Sequence, residues 1–581
     1  MPAEPKGGIV IDFSVQPFTK RFMETWTQSI DLPAIIESHG SPVYILHRGQ
    51  LRKNLDQFVR LVGDPCKVAY PVKTNPSLAI LRELSRLGCS ADCSSPHEVD
   101  LALSSGFPIQ KIIYNSPAPD RNLMVQLLAS GSTVVADSVS ILDDLQQNAP
   151  SQGWCGRLLV RVNPEQPVEY LHRADWQDLV SHASSGSKFG IPSENLTEIL
   201  AKCKLSVAGL HIHVGTQMDN TSAFVNALRL LHDLKDLIER ATSHRLGIVN
   251  IGGGLGIPFT NDQVFPAIED YVLALNEHFR SDIDYIVEPG HSLVGNAVAL
   301  LAQIRELKEI RGKRWAILDV GSDQLIKVTL LSWSHQIIDR KHRILPNQGP
   351  DAIGGPLCFA GDILLSSTSL EGQRAGDPLL IQHVGAYCFA VSNHFNGYQG
   401  PAHVTVTETG DIQDAYRQED AFADHCILGF NCFSEILLDS PTSKIDLRHV
   451  ERLSSQYLKD EAACDSYTFT DAKLIALRSL EFTVDAQSPL GAISIPFALR
   501  IASDAVIVAV LYLLGKESKD ISVWGTRSYM ASEMIIRTAS PLTLRVHISP
   551  EARLTGARHV SQMAHWEING GKFRGAFRFT L

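Results

Sequence analysis

The sequence predicts an α/β barrel, then an antiparallel β domain, then a smaller α+β unit. Three observations carry this reading. From Ser41, strand-patterned and helix-patterned segments alternate over roughly 250 residues, the rhythm of a closed parallel barrel. From about residue 296, strand patterns follow one another without helices between them. Further on, one long apolar stretch, Ile495 to Leu514, precedes a run of strand patterns. A chain of 581 residues is too long for a single core, so several domains are expected. The expected division is an N-terminal arm packing on the β domain (1–40), the barrel (41–295), the β domain (296–424), a linker (425–445) and the C-terminal unit (446–581).

The elements follow in order. In the arm, Ile9-Val10-Ile11 is strand-like, and Phe22, Trp26, Ile30 and Ile35 fall at helical spacing. The barrel is read as starting with strand Val43–Leu46 and helix Gln50–Val62. Strands then follow at 67–70, 89–93, 111–114, 133–136, 158–162, 208–214, 249–251 and 285–288, with helices at 77–87, 96–105, 120–130 and 138–147. In the β domain the expected strands are Ala297–Ile304, Trp315–Val320, Leu379–His383 and His403–Thr407. The C-terminal unit reads as a helix at Lys444–Leu458, a strand at Ser479–Val484 and a buried helix at Ile495–Leu514 ended by Gly515. Strands at 521–529, 542–548, 560–568 and 573–581 complete it, with Asn569-Gly570-Gly571 as a hairpin signal.

Composition narrows the function. Hydrophobic residues at 44% and charged residues at 20% fit a soluble globular protein. A formal net charge of -11 speaks against nucleic acid or an anionic membrane as partner. The 10 cysteines form no CxxC pair, so neither a metal site nor a disulfide framework is expected, and a cytoplasmic location fits. The first residues, MPAEPKGGIVIDFS, lack the basic start and apolar run of a signal peptide. The apolar run Ala505 to Leu514 is too short to span a bilayer.

Chemistry concentrates at strand ends. In Lys67–Pro76, KVAYPVKTNP, two prolines fix the turn around Lys73, which reads either as a solvated turn residue or as a nucleophilic amine. AGLHIHVGTQ places His211 and His213 on one barrel segment; alone, both read as inert interior histidines. NIGGGLGIPF runs from a strand into glycines that let backbone N–H groups approach an anion. IVEPG puts Glu288 at a strand end, and GPLCFAGD carries Cys358 with Asp362. A cysteine read there as part of a strand is by default a small buried hydrophobe.

Taken in this order, these segments and the later Gly385-Ala386-Tyr387 resemble the pyridoxal-phosphate (PLP) decarboxylases with the alanine-racemase-like fold, the diaminopimelate, ornithine and arginine decarboxylase family. The resemblance spans roughly residues 40–424. It implies that Lys73 carries PLP as a Schiff base, which suits an amine desolvated to a lower pKa. It implies that His213 stacks on the cofactor ring, that Thr216, Gly253, Gly254, Gly290 and Tyr387 surround the cofactor phosphate, and that Glu288 faces the pyridine nitrogen. Arg161 in RVNP, the segment Ser187–Gly190, Asp92 and Glu98 also match family positions. Cys358, with Asp362, is implied to act across a homodimer with shared sites and to return a proton to the substrate. Two positions depart from the pattern. His291 replaces the arginine after EPG, which removes an expected phosphate contact. Phe359 replaces the acidic residue after the cysteine, and a phenyl ring cannot pair with a distal ammonium, so a dibasic substrate is not expected.

The helix-then-meander pattern of the C-terminal unit resembles a hot-dog fold, the architecture of acyl-thioester hydrolases and dehydratases. Asp504 in its apolar helix reads either as a hydrogen-bonded structural residue or as a general base facing a thioester; His565 and Arg500 are lesser candidates. The expected protein is a decarboxylase of an amino acid, free or bound to an acyl carrier protein or as an amide, fused to a thioesterase-like domain. A racemase on the same barrel, or a C-terminal domain that only docks a partner, are the alternatives.

Overall fold

The computed structural model describes residues 25–417, apart from 151–152, 166–169, 171–180, 185, 261–262 and 399, together with eight strands between 466 and 580. The expectations at Ile9–Ile11, Phe22 and Lys444–Leu458, and the apolar helix with Arg500 and Asp504, lie outside the described residues.

The first strand corrects the sequence reading. Strand β1 (Val43–His47) pairs antiparallel with Val298–Leu301 and parallel with Ala402–Val406, so it belongs to the β domain. All five of its residues are buried. A strand covered on both faces has the same apolar pattern in either sheet, which is why the sequence placed it in the barrel.

The barrel is built from eight parallel strands: β2 (Ala69–Pro71), β3 (Ser90–Cys93), β4 (Ile112–Asn115), β5 (Thr133–Ala136), β6 (Arg157–Asn163), β7 (Val207–His211), β8 (Ile248–Asn250) and β9 (Asp284–Ile286). Neighbours in sequence are neighbours in the sheet. The ring closes where Ala69 N donates to Val287 O at 2.8 Å and Val287 N donates to Lys67 O at 3.0 Å. Ala69, Ile113, Val135, Leu159, Ile248 and Ile286 form one buried cluster that fills the interior. A plugged barrel leaves its strand ends as the place for chemistry.

The β domain adds β10 (Val298–Ile310), β11 (Lys313–Leu318), β12 (Asp351–Gly354), β13 (Ile363–Thr368), β14 (Pro378–Ile381), β15 (Ala402–Val406) and β16 (Ile412–Arg417). Their order is β13-β12-β11-β10-β1-β15-β16, with β14 paired to β10. The expectation of no intervening helix is corrected by a helix at Ile326–Leu331, whose 6 residues are too few to show helical periodicity. Thr25–Ser29 and helix Leu32–His39 precede β1. Asp31 caps that helix by accepting from Ala34 N at 3.1 Å. Trp26, Ile30, Leu32 and Ile35 bury against Val43, Ile45, Ala299 and Leu301.

The C-terminal strands are β17 (Ser466–Ala476), β18 (Ser479–Gln487), β19 (Ser522–Ala531), β20 (Leu542–Leu554), β21 (Val560–Ile568) and β22 (Phe573–Thr580), besides the short pair Ala492–Ser494 and Ile535–Arg537. They form an antiparallel sheet ordered β17-β18-β20-β21-β22-β19. Strand β17 escaped the sequence reading because a bulge at Phe469/Asp471 breaks its alternation. Among the described residues, no helix is long and apolar enough to cross a membrane.

Candidate active site

Adjacent barrel strands bring the first pair together. β2 and β3 set Pro71 opposite Asp92, and the turn Val72–Thr74 carries Lys73 over that strand end. Lys73 Nζ donates to Asp92 Oδ2 at 2.7 Å and lies 3.5 Å from Ser94 Oγ. Burial works against the ammonium, but Asp92, and then Tyr387 and Glu288, outweigh it and raise the Lys73 pKa above its ordinary value. This corrects the expectation of a desolvated, low-pKa amine: the sequence showed the lysine and not its partner. Burial, and then the Glu288 charge, raise Asp92 above the usual carboxylate range. Glu98 is used elsewhere, accepting from Ser94 N at 2.6 Å beside the helix cap Ser95.

β4, β7, β8 and the end of β9 assemble the second group. Glu288 Oε1 accepts from Asn250 Nδ2 at 2.7 Å, and Oε2 lies 3.4 Å from His211 Nε2. Asn115 Nδ2 is 3.3 Å from the same imidazole nitrogen. Burial alone would raise Glu288, but His211, then Lys73 and Asn250, hold its carboxyl below the usual range. Sequence reasoning read His211 only as an inert interior histidine and passed over Asn250 and Asn115. Their signal was the shared strand-end position, which becomes visible only once the barrel order is known.

His213 lies just beyond β7. Its Nδ1 accepts from Gly253 N at 3.2 Å, and its ring meets His182 edge-on at 4.8 Å. Burial and then the His182, Arg161 and Lys73 charges keep His213 neutral, its pKa well below the ordinary value. His182 stacks on Phe189 at 4.7 Å, and the Arg161 guanidinium covers the same ring at 4.3 Å while pairing with Asp137 at 3.2 Å.

The glycine loop packs so closely on its neighbours that it admits no Cβ. A Cβ at Gly253 would strike the Glu288 carbonyl oxygen, one at Gly254 the Gly215 carbonyl oxygen, and one at Gly290 the Thr74 hydroxyl. From the β domain, Tyr387 N donates to Thr74 O at 2.8 Å, and its hydroxyl accepts from Thr74 Oγ1 at 3.4 Å. Thr216 Oγ1 lies 3.3 Å from His291 Nδ1, whose ring tilts over Tyr387 at 4.8 Å.

Part of this set lines one cavity of about 580 Å³, with Asp92, His211, Asn250 and Gly253 behind its wall. Lys73, Arg161, His213, Thr216, Gly254, Glu288 and Gly290 form its barrel side; Ile326, Lys327, Leu330, Leu331, Trp333, Tyr387 and Val391 form its β-domain side. Cys358 and Asp362 do not line it. Cys358 is exposed in the turn between β12 and β13, its N–H bonded to Asn396 Oδ1 at 2.8 Å, which corrects its reading as a buried strand residue. Glycine and proline around it make a turn, not a strand. Asp362 accepts from Ser322 N, Ser322 Oγ and Leu357 N at 2.6, 2.9 and 2.9 Å, so its carboxylate braces that turn.

A lysine paired to a buried carboxylate, an ionised Glu288, a neutral imidazole and a tightly packed glycine loop around one cavity fit an aldehyde cofactor with a phosphate and a pyridine nitrogen. A profile described as "Pyridoxal-dependent decarboxylase, pyridoxal binding domain" matches residues 48–295. The chain is 30% identical over 393 residues to the probable chloroplastic diaminopimelate decarboxylase of Oryza sativa, covering 78% of that protein and 65% of this chain. It is 29% identical over 424 residues to the diaminopimelate decarboxylase of Pseudomonas aeruginosa, covering 99% of that protein and 71% of this chain. The fold superposes on the Methanocaldococcus jannaschii diaminopimelate decarboxylase solved with L-lysine at a TM-score of 0.58 and 26% identity, over 67% of this chain and 93% of that one. The chain belongs to the pyridoxal-dependent decarboxylase family. It is a PLP-dependent amino acid decarboxylase, similar over residues 48–295 and beyond to diaminopimelate decarboxylases.

Proposed function

We propose that the chain removes the α-carboxylate of an amino acid that is free or joined to a carrier through an amide or thioester, and that its C-terminal domain handles acyl thioesters. The observation that carries the first part is the convergence of Lys73, held by Asp92, with Glu288 and His213 on one cavity. When bound, PLP supplies an electron sink for the pair left as the carbon–carboxylate bond breaks. Lys73 would hold the cofactor aldehyde, and Asp92, bonded to its amine, would position it. Glu288, held ionised by His211 and Asn250, keeps a proton on the ring nitrogen. His213 presents a neutral ring face, fixed by the bond from Gly253. Gly253, Gly254, Gly290, Thr216 and Tyr387 would hold the phosphate, and Arg161 with Phe189 would wall the ring side. Cys358 of one subunit returns a proton to the substrate Cα in the cavity of another. Its exposure outside its own cavity supports that arrangement.

Two features support the conjugate and the thioester domain. Phe359, 48% exposed beside Cys358, offers a distal ammonium no acceptor. The C-terminal sheet is antiparallel and continuous through β20, β21 and β22, as a hot-dog domain requires. Mass spectrometry of products from a panel of free and carrier-bound amino acids tests the whole reading: loss of CO₂ from one of them is expected. No loss from any, with PLP bound, would contradict it. Mixing Lys73→Ala with Cys358→Ala subunits tests the shared site. Recovery of about a quarter of the activity is expected, from one intact site in each mixed dimer. A mixture that stays inactive under subunit exchange overturns it.

A further inference from the structure

The turn that carries Lys73 is held from outside the barrel. Val72–Thr74 is a single 3₁₀ turn between Pro71 and Pro76, and neither proline has an N–H to brace it. The bracing comes from the next residue. Asn75 is 2% exposed, and both ends of its carboxamide are used. Its Oδ1 accepts from Ser77 N at 3.0 Å, and its Nδ2 donates to Gly385 O at 2.9 Å. These partners fix the amide orientation, because a carbonyl only accepts and an N–H only donates. The main chain of Asn75 is tied as well, its carbonyl accepting from Tyr70 Oη at 3.1 Å.

The bond from Ser77 N is a local turn, which aspartate or serine would make equally well. The donor end of the amide has no such local use. It reaches Gly385, 310 residues away in the β domain. That segment is itself tightly held. Gly385 N donates to Gly295 O at 3.1 Å, and a Cβ at Gly385 would strike the Val294 carbonyl oxygen. Two residues on, Tyr387 N donates to Thr74 O at 2.8 Å from a backbone with φ of +52°, which a tyrosine rarely adopts. Such strain persists where surrounding bonds impose it, and it gathers at ligand clamps. Gly385-Ala386-Tyr387 thus joins the Lys73 turn to the helix His291–Val294, which follows directly on Glu288 and Gly290.

We propose that Asn75 is a positioning residue for the cofactor lysine. Its carboxamide clasps the Lys73 turn to Gly385, so that one contact between the domains sets the amine and Tyr387 relative to each other. The proposal rests on the decarboxylase reading, in which Lys73 holds PLP, and deepens it. Asn75 does not line the cavity, so it acts through the place of the Lys73 backbone. That place matters, because a reacting group displaced by about 1 Å can lose on the order of 10²-fold in rate.

The test compares full-length wild type with Asn75→Ser and Asn75→Asp. Both variants keep an oxygen for Ser77 N and lose the donor to Gly385. PLP affinity, visible circular dichroism per bound PLP and melting temperature are measured on each, and borohydride reduction locates the cofactor. Expected is PLP bound about tenfold or more weaker in both variants, still attached to Lys73, with a smaller visible signal per PLP. A lower melting temperature with PLP affinity and visible signal unchanged would make Asn75 a helix-cap residue only, and overturn the proposal. Variants that match the wild type in every respect overturn it too. Should neither variant fold, hydrogen exchange on the wild type decides. Peptides spanning 72–77 and 383–388 should gain protection together when PLP binds; protection of one without the other overturns the clasp. A wild type that does not attach PLP at Lys73 would instead bring down the reading of the site itself, and the proposal with it.

Discussion

The two sides of the cavity settle their charges in opposite ways. On the barrel side every charged group has a protein partner: Lys73 has Asp92, Glu288 has His211, and Arg161 has Asp137. On the β-domain side the one cation among the lining groups, Lys327, has a carbonyl and three aromatic rings. A paired charge is preorganised and serves a step that is the same for every substrate. A buried cation bonded to a single carbonyl carries a larger desolvation cost. The difference teaches that the barrel supplies the charges fixed for the reaction, whereas the β domain closes the cavity with aromatic rings and one cation bonded to a carbonyl.

The largest effect is expected from the barrel side. Lys73→Ala should lower decarboxylation by on the order of 10⁴-fold or more, as the loss of a covalent group does, and remove the visible absorption of the bound cofactor. Spectra and CO₂ release measured together check this; a variant that keeps the absorption would place the attachment elsewhere. Glu288→Gln should retain PLP but lose activity by on the order of 10²-fold, the scale of a lost electrostatic contact in the transition state. Its KM should change little, because the group acts on the ring and not on the substrate side chain. A large KM change with kcat intact would blur the division between the two sides.

Smaller effects are expected at the edges. Gly254→Ala should weaken PLP binding, because the added methyl meets the Gly215 carbonyl and the φ of +123° disfavours a side chain. An equilibrium titration with PLP measures it, and an unchanged affinity would remove the loop from the cradle. Asp362→Asn weakens bonds to Ser322 and Leu357 and should cost about 1–3 kcal/mol of stability with only a few-fold loss of rate. A collapse of activity at unchanged melting temperature would return Asp362 to the chemistry.

The barrel side was largely legible in the sequence because its groups stand at strand ends, where turn residues mark them. Lys73 lies between two prolines, and Gly253 and Gly254 follow a strand. What could not be read is who faces whom. Asp92 joins Lys73 only through the β2–β3 pairing, and His211 joins Glu288 across the barrel mouth. The β-domain side was less legible. Lys327 sits in a short helix without periodicity, and its burial among rings comes from residues 259, 333 and 387, far apart in sequence. Strand β1 was misplaced for a related reason: an apolar run records burial but not the sheet that provides it.

The two lysines also give the sharpest single measurement. Burial lowers the Lys327 pKa, whereas Asp92 and its neighbours raise that of Lys73. Basicity alone would therefore make Lys327 the better free amine, and geometry makes Lys73 the attachment point beside Glu288. Borohydride reduction of the PLP-loaded protein, followed by peptide mass spectrometry, fixes the cofactor to whichever lysine holds it. The expected result is a pyridoxyl group on Lys73 and none on Lys327. A label on Lys327 would contradict the assignment of the cofactor to the barrel lysine.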